Sequence, residues 1–301
     1  MSRLTALICT YNRPKLFADA LDALFNRAHE LPDELVVVNG GDERTDTLVA
    51  AYQERYPNRI KLIKTANKNL AASRNLGLPH CTGDIMAMTD DDAQVFPDWV
   101  TQMKRVHAAH PKAGAVGGVV LGSNTDSLVG KVADAVTFPV WTTARSVRTL
   151  PGVNISYKRK VLNQIGLQDE ILFRGEDVDF NWRVKKLGYD VWFDPSIKVY
   201  HHHRPTVRGF LNQHYMYGRA YYLVRRKWPE MYSIYPHGFN RPKDFLKAAH
   251  CLVLPFYQPF LSARKLTSKR DRIAALPLLW LAGLAWEGGM LEQAIREKRN
   301  Y

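Results

Sequence analysis

The sequence predicts an α/β fold: a mostly parallel central sheet flanked by helices, followed by a mainly helical, basic C-terminal extension. Three observations carry this reading. Short apolar, β-branched runs alternate with amphipathic helical stretches through the first two-thirds of the 301 residues. Polar residues stand at the ends of those runs, and positive charge collects in the last third. A strand–helix–strand order implies right-handed crossovers, which lay the strands parallel and cover the sheet on both faces.

Residues 4–9 read as a buried strand and residues 35–38 as a second, β-branched one. Between them Asn12 can cap a helix with Pro14 in its first turn. Leu16, Phe17, Ala20, Leu21, Leu24 and Phe25 then recur at helical spacing. Residues 60–63 form a third strand and residues 85–88 a fourth. Ligands of such sheets sit beyond the carboxyl ends of the strands. That rule gathers Thr10, Tyr11, Asn39 and the run Asp90-Asp91-Asp92 around one crevice.

Three adjacent carboxylates repel one another, so a buried strand that ends on them calls for a cation. Hard divalent ions such as Mg²⁺ or Mn²⁺ take oxygen ligands and bridge to substrate phosphates. A solvated acidic turn is the alternative for the run taken alone. A nucleotide suits the crevice: Tyr11 offers a ring face to a base, and Thr10 and Asn39 offer hydrogen bonds to its edge. Arg74 and Asn75 can reach a diphosphate or ribose. Each has a structural alternative: Tyr11 as a packing ring, Asn39 as a turn residue before Gly40, Arg74 as an exposed helix charge. Their joint placement beside the aspartates favours the site.

Further along, Gly175 permits a tight entry into a helix whose first turn holds Glu176 and Asp177 and which stops near Gly188. A helix N-terminus favours negative charge, so a carboxylate there is expected to stay ionised and suits a general base. Asp177 or Glu176 is the candidate, with ordinary helix electrostatics as the alternative. Residues 191–193 and 197–200 look like short strands leading into His201-His202-His203, one imidazole of which can complete an ion's shell.

Composition bounds the rest. A hydrophobic content of 46% supports a sizeable core, and the length suits one large α/β domain plus an appendage. Cys9, Cys81 and Cys251 are far apart and form no CxxC pair, which argues for a reducing compartment. The strand pattern begins at Leu4, so no secretory signal is expected. Of the net charge of +13, residues 207–301 carry sixteen Lys+Arg against six Asp+Glu, and residues 1–206 carry 26 against 23. The boundary is therefore expected between a catalytic domain, 1–206, and a helical basic and apolar region, 207–301. The charge names an anionic surface as partner, either membrane or nucleic acid. A nucleic-acid binder fits the charge, yet three aspartates in the crevice would repel phosphate unless metal-loaded, so no nucleic acid is expected.

Two apolar stretches mark the C-terminal region: 248–263, interrupted by Pro255 and Pro259, and the uncharged run 273–286, which contains Pro277 and Gly283. Arg264, Lys265, Lys269, Arg270 and Arg272 lie between them. The second run has 14 residues, fewer than the roughly 20 a spanning helix needs. Docking on an anionic membrane without spanning it is therefore expected, with Trp280 and Trp286 at the interface. Packing against the catalytic domain or a partner subunit is the alternative.

These blocks together resemble the inverting family 2 glycosyltransferases, with the nucleotide-sugar-binding GT-A fold, over about the first 205 residues. Residues 7–14 resemble the family's opening strand and base-binding loop, which adds Arg13 to the donor side. Residues 73–77 resemble its arginine–asparagine segment, and 82–85 followed by Asp90-Asp91-Asp92 its DxD region. Residues 152–159, with Gly152 and Asn154, resemble an acceptor-side motif. Gly175-Glu176-Asp177 with Arg183 and Gly188-Tyr189 resembles the catalytic block, which sets Trp182 and Arg183 on the acceptor side, and 194–201 resembles the strand ending in a late metal-ligand histidine. The resemblance implies a nucleoside diphosphate sugar donor bound by Thr10, Tyr11, Arg13, Asn39, Arg74, Asn75, Asp90 and Asp91. It also implies Mn²⁺ or Mg²⁺ on Asp90, Asp92 and His201, and Asp177 as base with Glu176 beside it.

The expected reaction is a single displacement that inverts the anomeric centre. The acceptor would be a glycan or a lipid-linked hydroxyl at the cytoplasmic face of the membrane. One position departs: the family usually has an aspartate after the second strand, where this chain has Asn39, whose amide both donates and accepts. A sugar nucleotidyltransferase is the competing enzyme class. It would resemble a Gly-rich, Lys-containing loop after the first strand, and residues 9–14 contain no glycine.

Overall fold

The computed structural model describes residues 2–231 and 242–298; the side chains of Ala248, Cys251 and Pro255 lie outside the described residues. The chain opens with β1 (Leu4–Thr10), α1 (Pro14–Phe25), β2 (Glu34–Asn39), α2 (Glu43–Arg55), β3 (Ile60–Lys64), α3 (Leu70–Gly77) and β4 (Ile85–Asp90). Every residue of β2 is buried and β1 nearly so, as expected of strands covered on both faces. β1 pairs in parallel with β2 and β4, and β2 with β3. The register sets Thr10 beside Asn39 and Cys9 beside Asp90, so the strand ends align. Arg13, rather than Asn12, occupies the N-cap of α1, and Asn12 takes a left-handed φ of 53°.

The second half adds β5 (Ala93–Val95), α4 (Trp99–Ala109), β6 (Ala113–Gly122), α5 (Leu128–Thr137), β7 (Arg145–Val147), β8 (Ile155–Lys158), α6 (Arg159–Ile165), α7 (Glu176–Lys186) and β9 (Asp190–His201). Strand order across the sheet is β3-β2-β1-β4-β8-β6-β9-β5, with β7 also on β9. β8 runs antiparallel between β4 and β6, and β5 and β7 run antiparallel to β9. Parallel pairing thus holds for the first four strands, and the sheet as a whole is mixed. The two short strands read near the histidines are one strand, β9. Its Pro195 falls between the stretch paired with β7, Val191–Phe193, and that paired with β5, Val199–His201. Leu7, Met86, Met88, Ile155, Tyr157, Phe180 and Phe193 belong to one buried core cluster.

The chain divides into two compact units: residues 1–121 with 140–202, and residues 122–139 with 203–301. The second unit contains α5 together with α8 (Val207–Lys227), α9 (Pro242–Ala263) and α10 (Lys269–Lys298). Its core unites Val132 and Ala133 of α5 with Phe210, Ala263, Leu266, Ala275, Leu278, Leu279 and Ala282. Lys131 and Asp271 form an ion pair at 2.9 Å. α8 and α10 touch backbone to backbone: a Cβ at Gly218 would stand 1.9 Å from the Trp286 carbonyl oxygen, and one at Gly289 would stand 2.0 Å from that of Tyr215.

The expected interruptions at Pro255 and Pro259 do not occur, since α9 runs through both, and α10 likewise runs through Pro277. The uncharged run at 273–286 is therefore part of a 30-residue helix, long and apolar enough to cross a bilayer. One face of α10 is buried through Ala275, Leu278, Leu279 and Ala282, while Ile273, Trp280, Leu281, Leu284, Leu291 and Ile295 are exposed.

Candidate functional site

The aligned ends of β1 and β4 meet the N-terminus of α7 around one buried guanidinium. Arg74, on α3, donates to Glu176 Oε1 at 2.8 Å and to Asp90 Oδ1 at 3.0 Å. Burial opposes its charge, but the carboxylates of Asp90 and Glu176 overcome that penalty and raise its pKa. Gly152 lies against it, and the Gly152 N–H donates to Asp177 Oδ2 at 2.8 Å while the Val178 N–H donates to Asp177 Oδ1 at 2.8 Å. Glu176 is buried and Asp177 half-buried. Burial is the main cause of a raised pKa for both. The mutual repulsion of the two carboxylates adds to that of Glu176, with Arg74 and the Gly152 N–H opposing the rise at Asp177. The helix N-terminus alone had suggested a carboxylate held ionised; here desolvation outweighs it. Burial pushes the Cys9 thiol up to about 12.

The three adjacent aspartates have three different environments. Asp90 faces Arg74. Asp91 is 0% exposed, with Oδ1 2.5 Å from the Arg13 guanidinium. Asp92 also pairs with Arg13, and its Oδ1 lies 3.4 Å from His201 Nε2. Pairing of β5 with β9, Ala93 opposite His201, places those last two side by side, and the His202 N–H donates to the Asp92 carbonyl at 2.8 Å. An oxygen and a nitrogen donor at this separation fit a divalent cation that draws its remaining ligands from substrate phosphates and water. Among the described residues no group of three or more His, Cys, Asp or Glu is gathered as a ligand cluster.

Tyr11 is 47% exposed, and its ring lies against Gly41, where a Cβ would come within 2.9 Å of Cδ2. Thr10 is buried beside it. Four of the expected contact residues are turned inward instead. Asn39 donates to the Asp42 carbonyl at 3.0 Å and to Asp46 Oδ1 at 2.8 Å, and accepts from Gly41 N–H at 3.0 Å, which fixes the β2–α2 loop. Asn75 donates to the Gln168 carbonyl and to Glu170, and accepts from Gln168 N–H at 2.8 Å, so it clamps the segment before α7. Asn154 is 0% exposed, accepting from Trp99 Nε1 at 2.9 Å and donating to the Val119 carbonyl at 2.9 Å. Arg183 binds Asp179 and donates to the carbonyls of Ile165 and Leu167. Trp182 is half-buried on α7.

Two residues escaped the sequence reading. Asp46 receives Asn39 and pairs with Lys64 at 2.7 Å, and Asn181 donates to the Asp177 carbonyl at 2.7 Å and the Leu150 carbonyl at 2.8 Å. The one available signal was Asp46 in the first turn of a helix; Asn181 carried none.

Comparisons with known proteins identify the family and the fold. The family model "Glycosyl transferase family 2" matches residues 5–166. A glucosyl-dolichyl phosphate glucuronosyltransferase of Haloferax volcanii is 27% identical, covering 99% of both chains. A dolichyl N-acetyl-alpha-D-glucosaminyl phosphate 3-beta-D-2,3-diacetamido-2,3-dideoxy-beta-D-glucuronosyltransferase of Methanococcus voltae is 22% identical, covering 79% of each. Among solved structures, a mannosyltransferase from Pyrobaculum calidifontis in complex with GDP-Man and Mn²⁺ aligns at a TM-score of 0.66 and 20% identity. That match covers 98% of this chain and 86% of the other. The fold is the GT-A fold of glycosyltransferases, and the chain belongs to glycosyl transferase family 2.

Proposed function

We propose that this glycosyltransferase is inverting and uses a divalent cation, moving a sugar from a nucleoside diphosphate to a hydroxyl of a lipid-linked acceptor. The observation that carries the reading is Asp177, gripped through both carboxylate oxygens by backbone N–H groups and adjoining the Arg74 hub. Burial raises its proton affinity, which suits a base that must take the acceptor hydroxyl's proton as that oxygen attacks. Glu176 is the weaker candidate, because Arg74 already occupies its carboxylate. Arg13 and Arg74 bring positive charge toward the leaving diphosphate. Asp92 and His201, with Asp90 nearby, would hold Mn²⁺ or Mg²⁺, which as a Lewis acid neutralises charge on the leaving oxygens. Asp177 has no need to form a covalent intermediate; direct attack inverts the anomeric centre.

The relatives whose names specify dolichyl phosphate carriers support a lipid-linked acceptor. Exposed Phe256 and Phe260 on α9, exposed Trp280 and Leu284 on α10, and the basic residues between those helices support docking on an anionic membrane at its cytoplasmic face. The direct test is a matrix of nucleoside diphosphate sugars against polyprenyl- and dolichyl-phosphate-linked acceptors and soluble glycans, with Mn²⁺ present and then chelated. Transfer to a lipid-linked acceptor with inverted configuration, lost in EDTA and restored by Mn²⁺, is expected. Full turnover in EDTA, or a retained anomer, would overturn the reading. Flotation with anionic liposomes tests the docking, and failure to co-float at low salt would sink it.

A further inference from the structure

The helical unit encloses a cavity of about 330 Å³, within the range of roughly 300–1,000 Å³ typical of small-molecule sites. Its walls come from α5, α8, α9 and α10, with Val136, Leu254, Leu279, Ala282 and Trp286 supplying apolar surface. Gly283 also faces it, and a Cβ built there would meet nothing within 4 Å, so the space beside that glycine is open. Of the ionisable lining groups, His214 and Glu287 are shifted by burial toward their neutral forms, His214 downward and Glu287 upward. Lys265, exposed just after α9, is the one lysine or arginine among the lining residues. A slot with these apolar side chains and a single exposed lysine in its lining matches a hydrocarbon chain that ends in an anion. The helices around it also expose Phe256, Phe260, Trp280 and Leu284, apolar surface of the kind a lipid would cross on its way in.

We infer that this cavity seats the hydrocarbon chain of an isoprenoid phosphate, with the Lys265 ammonium pairing with the phosphate. The inference rests on the lipid-linked acceptor proposed above and adds where in the chain that lipid is gripped. The test uses the full-length protein and farnesyl phosphate, read by tryptophan fluorescence, since Trp286 lines the cavity. Saturable quenching is expected, lost in Trp286→Phe. Gly283→Leu should fill the space and weaken binding at least about tenfold. Its thermal midpoint should stay or rise, because leucine is the better helix former. Lys265→Gln should weaken farnesyl phosphate about tenfold and leave farnesol binding unchanged.

Undiminished binding by Gly283→Leu overturns the inference. So does full competition by inorganic phosphate, or tighter binding of short-chain phosphatidic acid than of farnesyl phosphate, which would assign the slot to a bilayer phospholipid. Binding is measured without donor or turnover, so the two proposals fail separately. Exclusive use of a soluble acceptor would sink the functional reading and leave a farnesyl phosphate titration standing. Lipid-acceptor turnover with an unchanged KM in Gly283→Leu would do the reverse.

Discussion

Gly152 and Arg74 approach so closely that a Cβ at position 152 would stand 2.8 Å from one guanidinium nitrogen and 2.9 Å from the other. The same glycine's N–H holds Asp177, so one backbone segment fixes both the hub cation and the proposed base. Gly152→Ala is expected to fold and to lose at least about tenfold in kcat, because small misplacements of reacting groups are costly. Arg74→Ala should do more: it leaves Glu176 buried without its cation, which costs about 3–5 kcal/mol. Urea denaturation of both variants, with kinetics on the soluble one, checks the pair.

Asp177→Asn is expected to lower kcat by about 10²–10⁴-fold with a much smaller change in donor affinity, since a base acts in the transition state. The raised pKa of Asp177 also sets a pH dependence. The carboxylate stays protonated to a higher pH than an ordinary aspartate, so kcat/KM should climb with pH through that displaced value. The Asn variant should lose this limb. Near-normal kcat in Asp177→Asn would move the role to Glu176.

Much of this site was legible because it hangs on backbone register. Buried parallel strands of known length put Thr10, Asn39 and Asp90 on one line, and a helix N-terminus put Asp177 within reach of it. Asn75, Asn154 and Arg183 were not legible in the same way. Whether each faces the crevice or the interior depends on carbonyls of Gln168, Val119 and Ile165, which the chain brings near only once folded. The antiparallel half of the sheet escaped for a related reason. The glycine-rich β6 has no clean alternation, and its place follows from β8, which pairs at Ala115, Val116 and Gly117. Helices running through Pro255, Pro259 and Pro277 went against local propensity.

His107 provides a test of stability away from the site. It is buried with Nε2 2.9 Å from Ser156 Oγ, and burial, with help from Lys158, pulls its pKa down to about 3 from an ordinary 6.5. Below pH 6.5 the unfolded imidazole takes up a proton that the folded one refuses until about pH 3. Stability is therefore full above 6.5 and falls on acidification between those values. Urea midpoints measured across that range should decline for the parent and decline less for His107→Gln.

The α8–α10 crossing leaves no room for side chains at Gly218 and Gly289. Gly218→Leu should force the two helices apart and cost about 1–3 kcal/mol or more, despite leucine's better helix propensity. A lowered thermal midpoint would bear this out. A raised one would mean that the helices separate without penalty.

The membership of α5 in the helical unit makes that unit an interleaved module and not an appended tail. Its core draws Val132 and Ala133 from one excursion of the chain and everything from Phe210 onward from another. Deleting the C-terminal residues would strand an amphipathic helix in the middle of the catalytic sequence, its apolar stripe uncovered. A recombination event could not gain or lose the module at a single joint. Removing the module whole means excising residues 122–139 together with residues 203–301.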